Sequence, residues 1–169
     1  MKNHFSEKKL RYFIGETIKE AQIAVSKGNY PIGSLIVDEK GNIIAKCQNE
    51  NATRDDITAH AEVLCLRKMG SKRLAKENGK SYYLFSSLEP CGGCGFFMAR
   101  TNIKIVYIAS LDPYRSGMSV LKKSTDFSEI FKNINVVVCD FLDLATKSKL
   151  LMRDYLIKKG KKEAAKIYE

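Results

Sequence analysis

The sequence predicts an α/β fold, a three-layer α/β/α sandwich on one mixed five-stranded sheet. Three observations predict it. Two short strand-like runs, 32–37 and 43–47, flank the polar turn Asp38 to Asn42, the pattern of a hairpin and so of an antiparallel pair. Beyond them helical and strand-like stretches alternate, which sets the later strands in one sheet with helices over both faces. A length of 169 residues, 44% of them hydrophobic, suits a single domain over 1–169 with an ordinary core; no repeat, low-complexity tract or linker interrupts it.

The elements follow in order. Residues 6–27 read as a helix, because Leu10, Phe13, Ile14, Ile18, Ala21, Ala24 and Val25 recur at steps of three and four. Ser6 stands where a cap is needed and Gly28 where the helix should end. After the hairpin, Asn49 to Ile57 is a polar loop. Residues 58–69 are expected to be helical, with His60 and Glu62 at the start and Val63, Leu64 and Leu66 facing a core. A basic connection, part of it helical, spans 71–80. The third strand is read at 82–86, the next helix at 91–100 and the fourth strand at 104–109. Leu111 to Gly117, with Asp112-Pro113, is a loop placed to line a pocket. A weakly patterned helix at 120–131, a fifth strand at 134–139 and a helix at 141–159 complete the chain, with Phe141, Leu144, Ala145, Leu151 and Tyr155 on one side of that helix.

Two motifs carry chemistry. His60-Ala61-Glu62 opens one predicted helix and Pro90-Cys91-Gly92-Gly93-Cys94 opens another, both beyond strand ends, where α/β sheets hold ligands. Zinc prefers nitrogen and sulfur donors, and a catalytic zinc keeps three protein ligands and one open position. His60, Cys91 and Cys94 count to three. Cysteines at i and i+3 share a helix face, and a helix N-terminus favours thiolates. Glu62 supplies a carboxylate for general acid–base work, typically worth about 10²–10⁴ in rate. The competing readings are a redox Cys-x-x-Cys pair and a structural zinc site. The second needs a fourth ligand from Cys47, Cys65, Cys139 or His4, none of which has a paired spacing.

Cys47, Cys65 and Cys139 sit in apolar segments and read as buried free thiols, which fits a reducing compartment. No apolar run approaches the ~20 residues that cross a bilayer, and residues 1–9 lack a signal core; a cytoplasmic protein with no membrane partner is expected. Net charge is +10, from 29 Lys and Arg against 19 Asp and Glu. Such an excess serves either polyanion binding or plain solubility. The basic tail from about 158, Lys158 to Lys162, likewise reads either as an RNA contact or as a solvated end.

At these motifs the chain resembles the cytidine deaminase-like superfamily, and within it the branch of tRNA adenosine deaminases and small guanine deaminases. Pro31-Ile32-Gly33-Ser34-Leu35-Ile36-Val37 is similar to the branch's Pro-x-Gly-Ala-x-x-Val strand, residues 55–62 to its Asp-Pro-Thr-Ala-His-Ala-Glu, and Ser87-Leu88-Glu89-Pro90-Cys91 to its Thr-Leu-Glu-Pro-Cys. The likeness runs from about residue 5 to 160. It implies a zinc-dependent hydrolytic deaminase that converts an exocyclic amine of a nucleobase or nucleoside to a carbonyl, with Zn²⁺ on His60, Cys91 and Cys94 and Glu62 as proton shuttle. It also implies substrate contacts from Asn49, from the Ala61 backbone and from Ile32 under the ring; Asn49 reads otherwise as a turn residue. A homodimer packed through helices near the site is implied as well.

Some residues depart from the branch. Gly93 replaces a common Met, and Phe96 and Phe97 replace small residues, reading as core with the pocket or a dimer contact as the other roles. Asp56-Ile57 replaces Asp-Pro, and the C-terminal helix is poorer in arginine than the tRNA enzymes'. A small nucleobase or nucleoside is therefore the expected substrate. Wobble adenosine in a tRNA anticodon stem-loop is the alternative, and an inactive zinc-stabilised RNA-binding module, disfavoured by the intact Glu62, is a second.

Overall fold

The computed structural model describes residues 4–75, 79–114, 117–123 and 128–169. The sheet is mixed and five-stranded: β1 (Gly33–Asp38), β2 (Ile43–Gln48), β3 (Tyr82–Ser86), β4 (Ile103–Ile108) and β5 (Asn135–Val138), in the order β2-β1-β3-β4-β5. β1 runs antiparallel to β2 and β3, while β3, β4 and β5 are mutually parallel. Each strand ends within a residue of its predicted position.

Period-two alternation builds two cores. Leu35, Val37, Tyr83, Phe85 and Tyr107 face α1 (Glu7–Ser26) and, with Phe5, Phe13, Ile14 and Ile18, form one. Ile36, Leu84, Val106 and Ile108 face the other way, onto α3 (Ala61–Met69) and α5 (Gly92–Ala99), which follow α2 (Asn51–Arg54) and α4 (Ser71–Leu74) respectively in the chain. The three-layer α/β/α arrangement follows. Gly33 is where α1 meets the sheet. A Cβ there would lie 2.1 Å from Thr17 O and 2.5 Å from Glu20 Cβ, so the helix rests directly on bare backbone.

Several expectations need correction. Ser6 occupies the N-cap of α1 but its side chain makes no capping bond. The loop 49–57 holds the short helix α2. The predicted helix at 58–69 starts only at Ala61, because Asp56 Oδ1 accepts the Thr58 amide at 2.8 Å and ties 56–59 into a turn. The 120–131 stretch shows α6 (Met118–Lys123) and α7 (Ser128–Phe131), with 124–127 outside the described residues; so are 76–78 of the basic connection, 115–116 of the Leu111 loop and the first three residues of the expected domain. On α8 (Leu142–Lys158) the fully buried side is Ser148, Met152, Tyr155 and Leu156, with Leu144 and Leu151 only partly covered. Phe97 is not core: it is 53% exposed, and α5 buries Cys94, Met98 and Ala99 instead.

The lysine run is not a free tail. Past Gly160 the chain turns back into α9 (Lys162–Ala165) and a 3₁₀ turn over Lys166–Tyr168. Ala165 and Tyr168 are buried with Leu88, Met152, Tyr155 and Leu156 in a third apolar cluster. Cys47, Cys65 and Cys139 are buried free thiols. Among the described residues no helix is long and apolar enough to cross a membrane.

Candidate active site

His60 is the N-cap of α3 and Cys91 the N-cap of α5, both extended in backbone, so their side chains leave the helix starts toward each other. Cys94 is one helical turn into α5. Met118 N donates to Pro90 O at 3.0 Å and Cys91 bridges Gly117, which fixes the cysteine loop against α6.

The three donor atoms form a triangle: His60 Nδ1 to Cys94 Sγ 3.3 Å, His60 Nδ1 to Cys91 Sγ 3.6 Å and Cys91 Sγ to Cys94 Sγ 3.6 Å. A tetrahedron with Zn–S bonds of about 2.3 Å and a Zn–N bond of about 2.0 Å has edges of about 3.5–3.8 Å. The triangle is one face of such a tetrahedron to within a few tenths of an ångström, so the residues fit zinc. Among the described residues this is the one such group of His, Cys, Asp and Glu donors. Among the described residues no fourth ligand joins the group: Cys47 is buried in the core outside it, Cys65 Sγ donates to Ser34 O at 3.3 Å, Cys139 lies in the core on the opposite face of the sheet, and His4 stacks on Tyr83.

The electrostatics also ask for a cation. The Cys91 thiol is drawn down to about 4, chiefly by hydrogen bonding from Cys94, against the cost of burial, and by His60. The same pairing with Cys91, together with burial, pushes Cys94 up. A positive charge held between the two sulfurs would favour the thiolate form of both. His60 is held above the usual imidazole range by its bond to Cys91.

Glu62, 3% exposed, closes the group from behind. Ser86 Oγ donates to its Oε1 at 3.4 Å, and its Oε2 is 3.7 Å from Cys94 Sγ. Burial raises its pKa above the ordinary carboxylate range. His60, Glu62 and Cys91 line a cavity of about 430 Å³ that Ile32 and Asn49 also line. Ala61 is fully buried and is not among the lining residues. Asn49 is 3% exposed, and its Oδ1 accepts the Asn51 amide at 3.1 Å, so the turn role and a place on the cavity wall coexist.

The profile of the cytidine and deoxycytidylate deaminase zinc-binding region matches residues 7–110. The chain belongs to this family. A tRNA-specific adenosine deaminase of Aquifex aeolicus is 35% identical over 107 residues, 63% of this chain and 70% of the relative. Among solved structures, a tRNA:A34 deaminase superposes with a TM-score of 0.66 at 25% identity, covering 83% of this chain and 99% of the other. The guanine deaminase of Bacillus subtilis superposes with a TM-score of 0.53 at 31% identity, over 72% and 74% of the two chains. This deaminase is a zinc-dependent hydrolase of the C–N bond that joins an exocyclic amine to a nucleobase or nucleoside ring.

Sequence reasoning missed the contribution of the C-terminus to the site. Lys161, Ala164 and Tyr168 line the cavity, outside the family match. The signal was the apolar set Ala164, Ala165, Ile167 and Tyr168 after the lysines. Glu89 was also missed. Its buried carboxylate accepts the Asp112 amide at 3.1 Å and the Ser119 amide at 2.8 Å, and so holds the loop after β4 against the cysteine loop.

Proposed function

We propose that this deaminase acts on a free nucleobase or nucleoside, with His60, Cys91 and Cys94 as zinc ligands, Glu62 as proton shuttle, and Ile32 and Asn49 placing the ring. One observation carries the small-molecule reading: the cavity of about 430 Å³ is walled in part by Lys161, Ala164 and Tyr168. Its size is within the ~300–1,000 Å³ of sites that enclose a small ligand.

Zinc, when bound, supplies a water acidified to a pKa of about 7 and a positive charge for both thiolates. Glu62 would take one proton from the attacking water as its oxygen bonds to the amine-bearing carbon and pass it to the adjacent ring nitrogen, then take the proton of the new hydroxyl and deliver it to the amine as the C–N bond breaks. Burial suits the carboxyl to this, because it raises the pKa and so favours the protonated form that must hand the proton on. Ammonia leaves and a carbonyl remains. Asn49 Oδ1 accepts the Asn51 amide, and the Asn49 amide nitrogen is the group that would donate to a ring acceptor. Ile32 and Leu88 give the ring an apolar wall.

The second reading is deamination of wobble adenosine in a tRNA anticodon stem-loop. It is favoured by the Aquifex relative's name, by the net charge of +10 and by the exposed Lys158, Lys159 and Lys162. An ammonia-release screen over bases, nucleosides, nucleotides and an anticodon hairpin separates the two. Turnover of a base or nucleoside supports the first; turnover of the hairpin alone overturns it.

The chain is further proposed to be one deaminase domain over 1–169 that works in the cytoplasm as a homodimer. A groove between α3 and α5, lined by Val63, Leu66, Arg67, Phe97 and Arg100, supports the dimer; Phe97 is 53% exposed there, and Ile57, just before α3, 87%.

A further inference from the structure

Cys47 and Cys65 have no part in the chemistry above, yet they stand together. Cys47 on β2 is the register partner of Ser34 on β1, and Cys65 on α3 has its Sγ 3.3 Å from the Ser34 carbonyl oxygen. The Cys47 sulfur is a second acceptor within reach of the Cys65 thiol. Hairpin and helix thus bring two thiols together on the α3 face of the sheet.

The two differ in access and charge. Cys47, 4% exposed, lines a separate cavity of about 330 Å³, where Arg54, Arg67 and Lys68 outnumber Glu50, the partner of Arg54. Lys68 Nζ donates to the Lys46 carbonyl at 2.9 Å, one residue from Cys47. The hydrogen bond from Cys65 first, and Lys68 after the opposing cost of burial, hold the Cys47 thiol below its usual range. Burial, and then the same pairing, push Cys65 well above it. Cys47 is therefore the readier nucleophile, and Cys65, 0% exposed and off the cavity wall, is the protonated neighbour behind it. Cys139, on the other face of the sheet, is pushed up to about 12 by burial.

We propose that Cys47 and Cys65 are a redox modification site: a hydroperoxide entering this cavity oxidises Cys47, and Cys65 then closes a disulfide that ties α3 to β2 and slows deamination. The Cys47 thiolate attacks one peroxide oxygen. The S–O bond forms, the O–O bond breaks, and the departing hydroxide takes up the proton that the thiol had lost, leaving Cys47 as a sulfenic acid. The Cys65 sulfur attacks the Cys47 sulfur; the S–S bond forms, the S–O bond breaks, and the hydroxide leaves as water with the Cys65 proton. Two thiols lose two electrons and two protons, and hydrogen peroxide becomes two waters. Cys65 lies three residues after Glu62 on α3, so the two share a helix face. Drawing Cys65 toward β2 carries the proton shuttle with it.

The zinc-loaded full chain is treated with a few equivalents of hydrogen peroxide, its remaining thiols are alkylated, and its peptides are mapped by mass spectrometry, with zinc measured before and after. A Cys47–Cys65 link with zinc retained and Cys139 alkylated is expected. Cys65→Ala should stop at the Cys47 sulfenic acid, which dimedone traps. On the compound that the ammonia-release screen identifies, the linked form should lose roughly ten-fold or more in kcat and recover it with dithiothreitol, while Cys47→Ser should turn over normally and ignore peroxide. Oxidation confined to Cys91 and Cys94 with loss of zinc, or Cys47 and Cys65 both still open to alkylation, overturns the site. A linked, zinc-loaded protein that turns over as fast as the reduced one overturns the effect on activity.

Discussion

The Glu62 carboxylate lies against the Cys94 sulfur, Oε2 to Sγ 3.7 Å, with the acid 3% exposed. Two helix starts from different parts of the sequence bring them together, α3 with the acid in its first turn and α5 with the sulfur in its first turn. A carboxylate this buried, beside a thiolate, costs stability unless a cation or a proton compensates it. A structural metal site has no use for it.

Glu62→Gln keeps the shape and removes the proton carrier. Zinc content and melting temperature should be retained while kcat for ammonia release falls by about 10²–10⁴. Turnover within ten-fold of the parent would remove Glu62 from the mechanism.

Gly117 allows the cysteine loop to close. A Cβ there would stand 2.1 Å from Glu89 Cδ and 2.4–2.5 Å from its oxygens, and that carboxylate is pinned by two backbone amides. Gly117→Ala should destabilise the fold by about 1–3 kcal/mol, as overpacking does, and lower kcat/KM, since Asp112 and Tyr114 line the cavity. Thermal melts and steady-state kinetics check it. Unchanged values in both would show that the loop yields freely.

Lys46 on β2 pairs with Glu16 at 3.1 Å and Glu20 at 3.2 Å, both carboxylates nearly buried on α1. Lys19 first, and Lys46 after the opposing cost of burial, hold Glu16 below its usual pKa. A depressed carboxylate stabilises the fold above its unfolded pKa, and the effect is lost as pH falls through the lower folded value. Lys46→Met should therefore cost about 1 kcal/mol at neutral pH, a modest value because the lysine is partly exposed. The gap should shrink as pH falls below ~4.3 and Glu16 protonates. Denaturant titrations at pH 7 and pH 3.5 measure it; a gap that grows on acidification would contradict the assignment.

The proposed dimer predicts that Phe97→Asp converts the protein from dimer to monomer in light scattering at micromolar concentration, with zinc retained. A charge placed in an apolar contact cannot be buried without a partner. A parent that is already monomeric would overturn the dimer, and a variant that stays dimeric would move the interface elsewhere.

Much of the fold was legible because period and turn chemistry agree locally. The hairpin at Asp38 to Asn42 marked the antiparallel β1–β2 pair and the helix-to-strand alternation marked one mixed sheet, while the order β2-β1-β3-β4-β5 is visible only in the structure. The metal group was legible because ligand chemistry restricts both residue type and spacing: His60, Cys91 and Cys94 converge as their motifs imply. The rest depended on contacts that spacing does not encode. α5 is apolar on all sides, so its pattern could not say that Phe97 faces out while Met98 faces in. The fold-back of Lys161 to Tyr168 is driven by Ala165 and Tyr168 finding Leu88 and Met152, a match of shape between distant segments that a lysine-dominated stretch conceals. The late start of α3 follows from one side-chain bond, Asp56 to Thr58, which outweighed the helical reading of 58–60.

The central claim is a zinc ion held by one imidazole and two sulfurs with a position left for water. X-ray absorption at the zinc edge of the purified protein tests it directly. The predicted shell has two sulfurs at about 2.3 Å, and one imidazole nitrogen and one water oxygen at about 2.0 Å. Absence of zinc, or a shell filled by four sulfur and imidazole ligands, would contradict it.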